Sequence, residues 1–338
     1  MKRQFLSLAA AALGMLVLIL DAPCAIQAAG SALQMCILSL IPSLFPFLVV
    51  SALMTHSLSG IGTSLLAPLE IICRLPSGSG MLMLTGLLGG YPVGARVVTE
   101  AYRRGDLRKE QAERMLCFCN NAGPSFLFGI VASFFAGKRW VFIIWMIQII
   151  SALFTAFLLP DSSYSVAGRV SSKAGQIRLP ECVEQAVHTM GIICGWVILF
   201  RVISDFLIRW IFWIMPEPFQ VLLTGFLELS NGCMQLHMIR DDSLRFIVAG
   251  CMLSFGGLCV GMQTRSISKE LRLGHYFKGK LIQTLIVLLL SVDYCFFTGS
   301  IRTPFQPVFL INLLFWIPVV FSFRKDKKIS SICHATDI

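Results

Sequence analysis

The stretch Gly89-Gly90-Tyr91-Pro92-Val93-Gly94-Ala95-Arg96 interrupts an apolar segment with residues that break helices. The second half of the chain contains a counterpart, Ser254-Phe255-Gly256-Gly257-Leu258-Cys259-Val260-Gly261-Met262-Gln263. Each has a second interruption nearby, Cys119-Asn120-Asn121-Ala122-Gly123-Pro124 in the first half and Leu229-Ser230-Asn231-Gly232-Cys233 in the second. Non-helical backbone persists at membrane depth only where protein or a water-filled cavity satisfies its polar groups. Paired interruptions in two halves therefore predict a binding site of the kind that transporters use.

The composition indicates a membrane protein. Hydrophobic residues make up 56% of the chain, charged residues make up 14%, and the mean hydropathy is +0.77. The plainest apolar runs are residues 141–159, 281–292 and 307–323. The sequence contains no Walker loop, no His-Glu-x-x-His site and no Rossmann glycine fingerprint. We therefore expect no enzymatic activity, no catalytic residue and no bound cofactor.

The net charge of +10 is best explained by cytoplasmic loops, because an excess of Lys and Arg marks the cytoplasmic side of membrane proteins. Nucleic acid is therefore not an expected partner, whereas the lipid bilayer is. The twelve cysteines lie mostly inside apolar segments without a framework spacing, so we interpret them as small hydrophobic residues. A soft-metal site at Cys117, Cys119 and Cys233 is an alternative, but with no histidine nearby we predict no metal site.

The domain boundaries follow from the apolar runs and the polar segments between them. We predict an N-terminal signal-anchor helix over 1–24, a first repeat over 25–160, a cytoplasmic linker over 161–182, a second repeat over 183–323 and a basic cytoplasmic tail over 324–338. A cleaved signal peptide is an alternative interpretation of the first segment, because small residues follow its apolar run. Either way, we expect a multi-pass protein of a bacterial cell membrane.

The predicted fold is an all-α polytopic membrane protein with about eight spanning helices and two re-entrant hairpins, arranged as an inverted repeat. The first hairpin starts at 81, breaks at 90–94 and reaches the basic cluster of Arg103, Arg104, Arg108, Lys109 and Arg114, and the second covers 219–236 with its tip at 230–232. The broken helices fall at 108–135 and 246–262. Residues 265–280 form a basic cytoplasmic loop in this topology. The similar segments 47–53 and 200–206 each precede the hairpin of their half and run in opposite directions.

Four stretches carry a resemblance to a known family: Ile41-Pro42-Ser43-Leu44-Phe45-Pro46-Phe47 and the ranges 89–96, 119–129 and 254–263. They resemble the Gate or nucleoside-recognition domain family, and within it the sporulation integral membrane proteins of the YlbJ (SpoVV) type. The resemblance implies an architecture similar to concentrative nucleoside carriers. For the sporulation branch it implies movement of dipicolinic acid from the mother cell across the outer forespore membrane.

The candidate substrate-binding residues all lie at or beside the interruptions: Gly90, Tyr91, Gly94, Arg96, Asn120, Asn121, Gly123, Glu228, Ser230, Asn231, Gly232, Gly256, Gly257 and Gln263. The N-terminus of a half-helix carries a partial positive charge and free N–H groups, which suit a carboxylate. We expect such ends after Gly94, Pro124, Gly232 and Gly257.

Each candidate side chain also has a structural interpretation. Arg96 is either a bidentate clamp for a carboxylate or a partner for Glu100. The asparagines, Ser230 and Gln263 either contact substrate or cap the half-helices. Glu228 either binds a coupling cation, pairs with Arg96 or belongs to a structural ion pair, and Tyr91 either packs in the hairpin or stacks on substrate.

These features together predict a carrier or facilitated pore for a small organic anion, with dipicolinic acid as the substrate that the resemblance implies. A nucleoside or nucleobase carrier, a metal-ion gate and a non-transporting sporulation membrane factor are the alternatives. The sequence leaves open the energy coupling, including a coupling cation, and whether the chain forms a homo-oligomer.

Overall fold

A computed structural model describes residues 2–57, 66–76, 78–159 and 178–298. These residues form helices and connecting turns, and no strand occurs among them. The all-α class predicted from the sequence is therefore confirmed for the described part of the chain. The last apolar run, the basic tail and most of the linker lie outside the described residues.

The helices follow one another in both halves with short connections. The first half contains α1 (Lys2–Leu20), α2 (Ala22–Met35), α3 (Ile41–Ser57), α4 (Ala67–Ile72), α5 (Gly80–Gly89), α6 (Val93–Arg103), α7 (Lys109–Cys119), α8 (Pro124–Gly129) and α9 (Lys138–Leu158). The second half contains α10 (Leu179–Trp210), α11 (Glu217–Leu227), α12 (Leu229–Met234), α13 (Asp242–Phe255), α14 (Gly257–Ile267) and α15 (Gly274–Phe297). A π-helical turn, Cys36–Leu40, joins α2 to α3.

Five helical segments in the described ranges are long and apolar enough to cross a bilayer: Ala22–Leu53, Lys138–Leu158, Leu179–Trp210, Asp242–Ile267 and Gly274–Phe297. The prediction of about eight spans exceeds this number for three separate reasons. The segment Gln4–Leu20 of α1 is shorter than a full span, and 108–135 is divided into α7, α8 and a 3₁₀ turn. The predicted span 307–323 lies outside the described residues.

The long α2–α3 segment packs antiparallel against α10. The carboxylate of Asp21, just before α2, lies 2.9 Å from the guanidinium of Arg209 near the end of α10. At the other end, Ser51 of α3 and Gln185 near the start of α10 line the same small crevice. The similar segments 47–53 and 200–206 thus run in opposite directions, as an inverted repeat requires.

Pairs of short helices occupy both predicted hairpins. Helices α5 and α6 have 10 and 11 residues, α11 and α12 have 11 and 6, and the members of each pair pack against each other. None is long enough to span a bilayer alone. Entry of each pair from one face of the membrane stays a prediction. The predicted tip of the second hairpin was wrong, because the helix breaks at Glu228 and residues 230–232 lie inside α12.

The predicted basic loop 265–280 was wrong at both ends. Helix α14 continues through Arg265 to Ile267, and α15 already begins at Gly274. Lys280 therefore lies within a helix that is long and apolar enough to span a bilayer, and its side chain is fully buried. The connection between the helices covers only 268–273. Four basic residues of the region are exposed, namely Arg265, Lys269, Arg272 and Lys278, whereas Lys280 lies inside.

Candidate functional site

The interruptions of both halves meet around one small cavity of about 40 Å³. Six of the predicted site residues line it: Gly90, Tyr91, Gly123, Glu228, Ser230 and Gln263. Its remaining lining is apolar and comes from the π-helical turn and α3, the second interruption, α10, α12 and α14: Leu40, Leu44, Ala122, Phe126, Ile193, Val197, Leu229 and Val260. The structure thus brings six of the predicted residues together, and α10 and the α2–α3 segment add to the walls.

The two interruptions of the first half touch through glycines. Gly90 has φ +78°, a conformation that side chains rarely adopt, and a Cβ placed there would lie 2.7 Å from the amide nitrogen of Gly123. Gly123 is equally crowded, because its own Cβ would lie 2.7 Å from the Cα of Gly90. Glycine is therefore required on both sides, for close backbone approach and at Gly90 also for its dihedral angle.

Tyr91 connects the first half to the break in the second. Helix α13 ends at Phe255, which frees its last carbonyl groups from helical hydrogen bonds. The hydroxyl of Tyr91 lies 3.2 Å from the carbonyl oxygens of both Leu253 and Ser254 and can donate to either. Gly256, with φ +80°, makes room for the ring, because a Cβ there would lie 2.7 Å from the Tyr91 hydroxyl.

Three further glycines of the predicted site act as packing contacts. A Cβ at Gly94 would collide with the carbonyl oxygen of Cys119, and one at Gly232 would collide with the backbone of Gly225. Gly257, also at φ +80°, lies against the backbone of α11 and the α11–α12 break. None of the three lines the cavity, and all bring backbone segments together around it.

Asn120 joins α6 to α14. Its Oδ1 accepts from the Ala95 amide at 3.3 Å, and its Nδ2 donates to the Thr264 hydroxyl at 3.0 Å. The start of α6 is therefore capped by protein. The expectation of four free half-helix ends needs correction here, since α6 begins at Val93 and an amide oxygen already occupies its first turn.

Glu228 caps α12. Its two carboxylate oxygens accept from the main-chain amides of Ser230 and Asn231 at 2.9 and 2.6 Å, and the residue is 1% exposed. Arg201 donates to the Oδ1 of Asn231, and it also lies 2.9 Å from the carboxylate of Asp205, four residues further along α10. The N-terminal end of α12 is thus already occupied by the Glu228 carboxylate, which faces the cavity. Arg96 and Glu228 do not form a pair.

Arg96 lies outside the cavity. Its Nε donates to Glu100 at 2.9 Å, and its terminal nitrogens reach Gln185 and Thr189 of α10. The side chain lies in a separate crevice with Val93, Val97 and the end of α3. This arrangement favours the structural interpretation of Arg96 over the carboxylate clamp.

Lys280 is the functional candidate that the sequence analysis missed. Its ammonium donates to Asn121 Oδ1 at 2.9 Å and to Gln283 Oε1 at 3.0 Å, and it lies over the Tyr91 ring at 5.1 Å from the centroid. The signal was available in the spacing: Tyr276, Gly279, Lys280 and Gln283 share one helix face, which continues into the apolar run that follows. Grouping Lys280 with the neighbouring loop charges concealed it.

One end of the bundle is held by polar contacts between α6–α7 and the α14–α15 loop. Arg103 pairs with Glu270 at 2.9 Å, the hydroxyls of Thr99 and Ser268 lie 2.6 Å apart, and the Arg272 amide donates to Glu113 at 2.9 Å. A main-chain hydrogen bond at Glu270 itself and the Arg103 guanidinium hold the pKa of the Glu270 carboxyl below its usual value.

Among the described residues, no group of three or more His, Cys, Asp or Glu side chains comes together to hold a metal ion. Cys117 instead lies 3.2 Å from the carbonyl oxygen of His275 in the packing between α7 and α15. The metal-gate alternative therefore gains no support from these residues.

Comparison with known proteins gives one informative relative. The chain is 24% identical over 289 residues to the sporulation integral membrane protein YlbJ of Bacillus subtilis (strain 168), which covers 72% of this chain and 70% of the relative. No family model matches the chain, and no solved structure matches it. The similarity supports the resemblance to sporulation integral membrane proteins, and with the apolar helices it supports a multi-pass membrane protein.

Proposed function

We propose that the protein is a membrane transporter or facilitated pore for a small organic anion, with dipicolinic acid as its substrate and the outer forespore membrane as its location. The transport function is supported by the cavity, and the sporulation context by the similarity to a sporulation integral membrane protein. The choice of dipicolinic acid as the substrate rests on the family resemblance of the interruption motifs.

The observation that carries the proposal is the meeting of helix interruptions from both halves at one interior cavity. Such interruptions leave backbone groups without helical partners, and in a membrane they are tolerated only in protein or beside a water-filled space. In transporters they mark the substrate site at the interface of two repeats. A purely structural role would not require breaks from both halves to converge.

The cavity volume indicates a closed state. Small-molecule sites commonly enclose roughly 300 to 1,000 Å³, whereas this cavity offers about 40 Å³. Passage of an aromatic dicarboxylate therefore requires the interruptions to move apart. The glycine contacts around the cavity join backbone segments without interlocking side chains, which suits such a movement.

The cavity wall contains one carboxylate, Glu228, which main-chain amides hold, so the support for an anionic cargo comes from Lys280 behind the Tyr91 ring. The Lys280 ammonium is buried among amide oxygens and an aromatic ring, and no carboxylate pairs with it among the described residues. A negatively charged cargo would supply the missing counter-charge, whereas a neutral nucleoside would not.

The competing nucleoside proposal rests on the aromatic and amide groups of the cavity wall, namely Tyr91, Phe126 and Gln263. Uptake of labelled dipicolinate, uridine and ferrous ion into proteoliposomes, measured side by side, separates the candidates. We expect saturable uptake of dipicolinate alone. Uptake of uridine alone would establish the nucleoside carrier, and uptake of none would favour a non-transporting membrane factor.

A further inference from the structure

We propose that Lys280 is the counter-charge for the carboxylate of the transported anion, and that the Tyr91 ring separates it from the cavity until substrate enters. This inference rests on the proposed anion transport and assigns recognition of the anion's negative charge to Lys280. The ligand class is a small carboxylate that meets an ammonium inside the protein.

The burial of Lys280 requires an explanation. Its side chain is fully buried in α15, a helix long and apolar enough to span the membrane. A charge in such surroundings is costly without a counter-ion, and intramembrane charges are functional candidates for that reason. Three other cations of the helices differ from Lys280, since Arg96 pairs with Glu100, Arg201 pairs with Asp205, and Arg114 donates to main-chain carbonyl oxygens at one end of the bundle.

The groups around the ammonium are those of a pre-formed polar site. Asn121 Oδ1 accepts from both Lys280 and Gln283, and the Asn121 amide group is itself fixed by donating to Phe118 O at 2.6 Å. Gln283 also lies 3.4 Å from Ser151 of α9. Two neutral polar groups therefore hold the ammonium, Asn121 of the first-half interruption and Gln283 of α15, and α9 supports them through the contact of Ser151 with Gln283.

The position of Tyr91 connects this cluster to the cavity. The ring lines the cavity, and the Lys280 ammonium lies over it, 5.1 Å from its centroid, while Lys280 itself is absent from the cavity wall. The hydroxyl is held by the carbonyl groups at the end of α13. Displacement of α13 from Tyr91 would free the ring, and an anion in the enlarged cavity could then reach the ammonium.

Binding of small carboxylates to the purified full-length protein tests this proposal. The probes are dipicolinate, picolinate with one carboxylate, and neutral pyridine. Lys280→Met removes the charge at similar length, and Lys278→Met removes an exposed lysine from the same helix as a matched control. Gln283→Glu offers the ammonium an internal carboxylate, so it should compete with substrate without removing the lysine.

We expect Lys280→Met and Gln283→Glu each to weaken dipicolinate binding by roughly tenfold to over a hundredfold, the range of a charge-assisted hydrogen bond. Lys278→Met should bind like the wild type, and pyridine should not bind. If Lys280→Met does not fold, Gln283→Glu and Lys280→Arg test the assignment of Lys280 instead. Lys280→Arg retains the charge and should therefore retain part of the affinity for dipicolinate.

Two adverse results have different meanings. Wild-type affinity in folded Lys280→Met or in Gln283→Glu protein would overturn the assignment of Lys280 and leave anion transport standing. Failure of the wild type to bind either carboxylate would overturn both the assignment and the proposed substrate class.

Discussion

The hydroxyl of Tyr91, in the first half of the chain, lies 3.2 Å from the carbonyl oxygen of Ser254 at the end of α13 in the second half. This contact ties an interruption in one half to an interruption in the other. A side chain from the turn between α5 and α6 thus donates to carbonyl groups that the break after Phe255 has freed. Because Tyr91 also forms part of the cavity wall, this link lies at the cavity itself.

Tyr91→Phe should lower stability while preserving the ring. A buried carbonyl left without a donor costs about 1 to 3 kcal/mol, so the midpoint of thermal unfolding in detergent should fall. Tyr102→Phe, which removes a hydroxyl from a half-buried position on α6, is the control and should change the midpoint little. An unchanged midpoint in Tyr91→Phe protein would mean that the contact contributes nothing to closure.

Gly90→Ala should destabilise the protein more than Gly105→Ala. Both glycines have positive φ (+78° and +79°), which disfavours alanine at either position, and Gly90 with ψ −171° lies in a region that is essentially restricted to glycine. Only at Gly90 would the new Cβ also meet backbone, at 2.7 Å from the Gly123 amide, whereas nothing lies within 4 Å at Gly105. Thermal unfolding of the two variants measures the difference. Equal losses would show that the Gly90–Gly123 approach is not close in the folded protein.

Arg96→Gln should reduce the amount of folded protein without changing anion affinity in the fraction that folds. The substitution leaves the Glu100 carboxylate, 24% exposed, without its guanidinium, at a cost of about 1 to 3 kcal/mol. Arg96→Gln combined with Glu100→Gln should recover part of the loss, since no charge is then left unpaired. A tenfold weaker affinity for dipicolinate in stable Arg96→Gln protein would instead restore Arg96 as a substrate ligand.

Arg108 and Arg272 should face the cytoplasm, and Asp241 should face the opposite side. The hydrogen bond from the Arg272 amide to Glu113 places the start of α7 and the α14–α15 loop at one end of the bundle. The segment Asp242–Ile267 is long enough to carry the chain across the membrane between Asp241 and that end. Single cysteines in a cysteine-depleted background, labelled with an impermeant reagent, check this topology. Labelling of positions 108 and 241 from the same side would contradict it.

Glycine and proline allowed most of the interruptions to be predicted from sequence. Gly256 and Gly257 both adopt φ +80°, and Pro124 begins α8, so the residues that break a helix mark the break itself. The second predicted hairpin shows where prediction from composition fails. Ser230, Asn231 and Gly232 have the composition of a turn, yet they lie in α12 because the Glu228 carboxylate caps it and Gly232 packs on Gly225.

Side-chain direction could not be read from sequence. Arg96 and Tyr91 are neighbours in the same motif, but Arg96 turns towards α10 while Tyr91 turns towards α13 and Lys280. The direction depends on which distant helices pack against each face of α6, information that no local pattern contains. For the same reason Lys280 was interpreted as a loop charge, since only the packing of α15 against α7 and α9 buries it.

Substrate protection of a cysteine in the cavity tests the central claim most directly. Ser230→Cys places a thiol in the cavity wall, and Gly105→Cys places one on the exposed turn after α6 as a control. With the native cysteines removed, dipicolinate at ten times its dissociation constant should slow modification of Cys at 230 roughly tenfold and leave the control unaffected. Equal modification rates with and without dipicolinate, in protein that binds the anion, would contradict the cavity as the transport site.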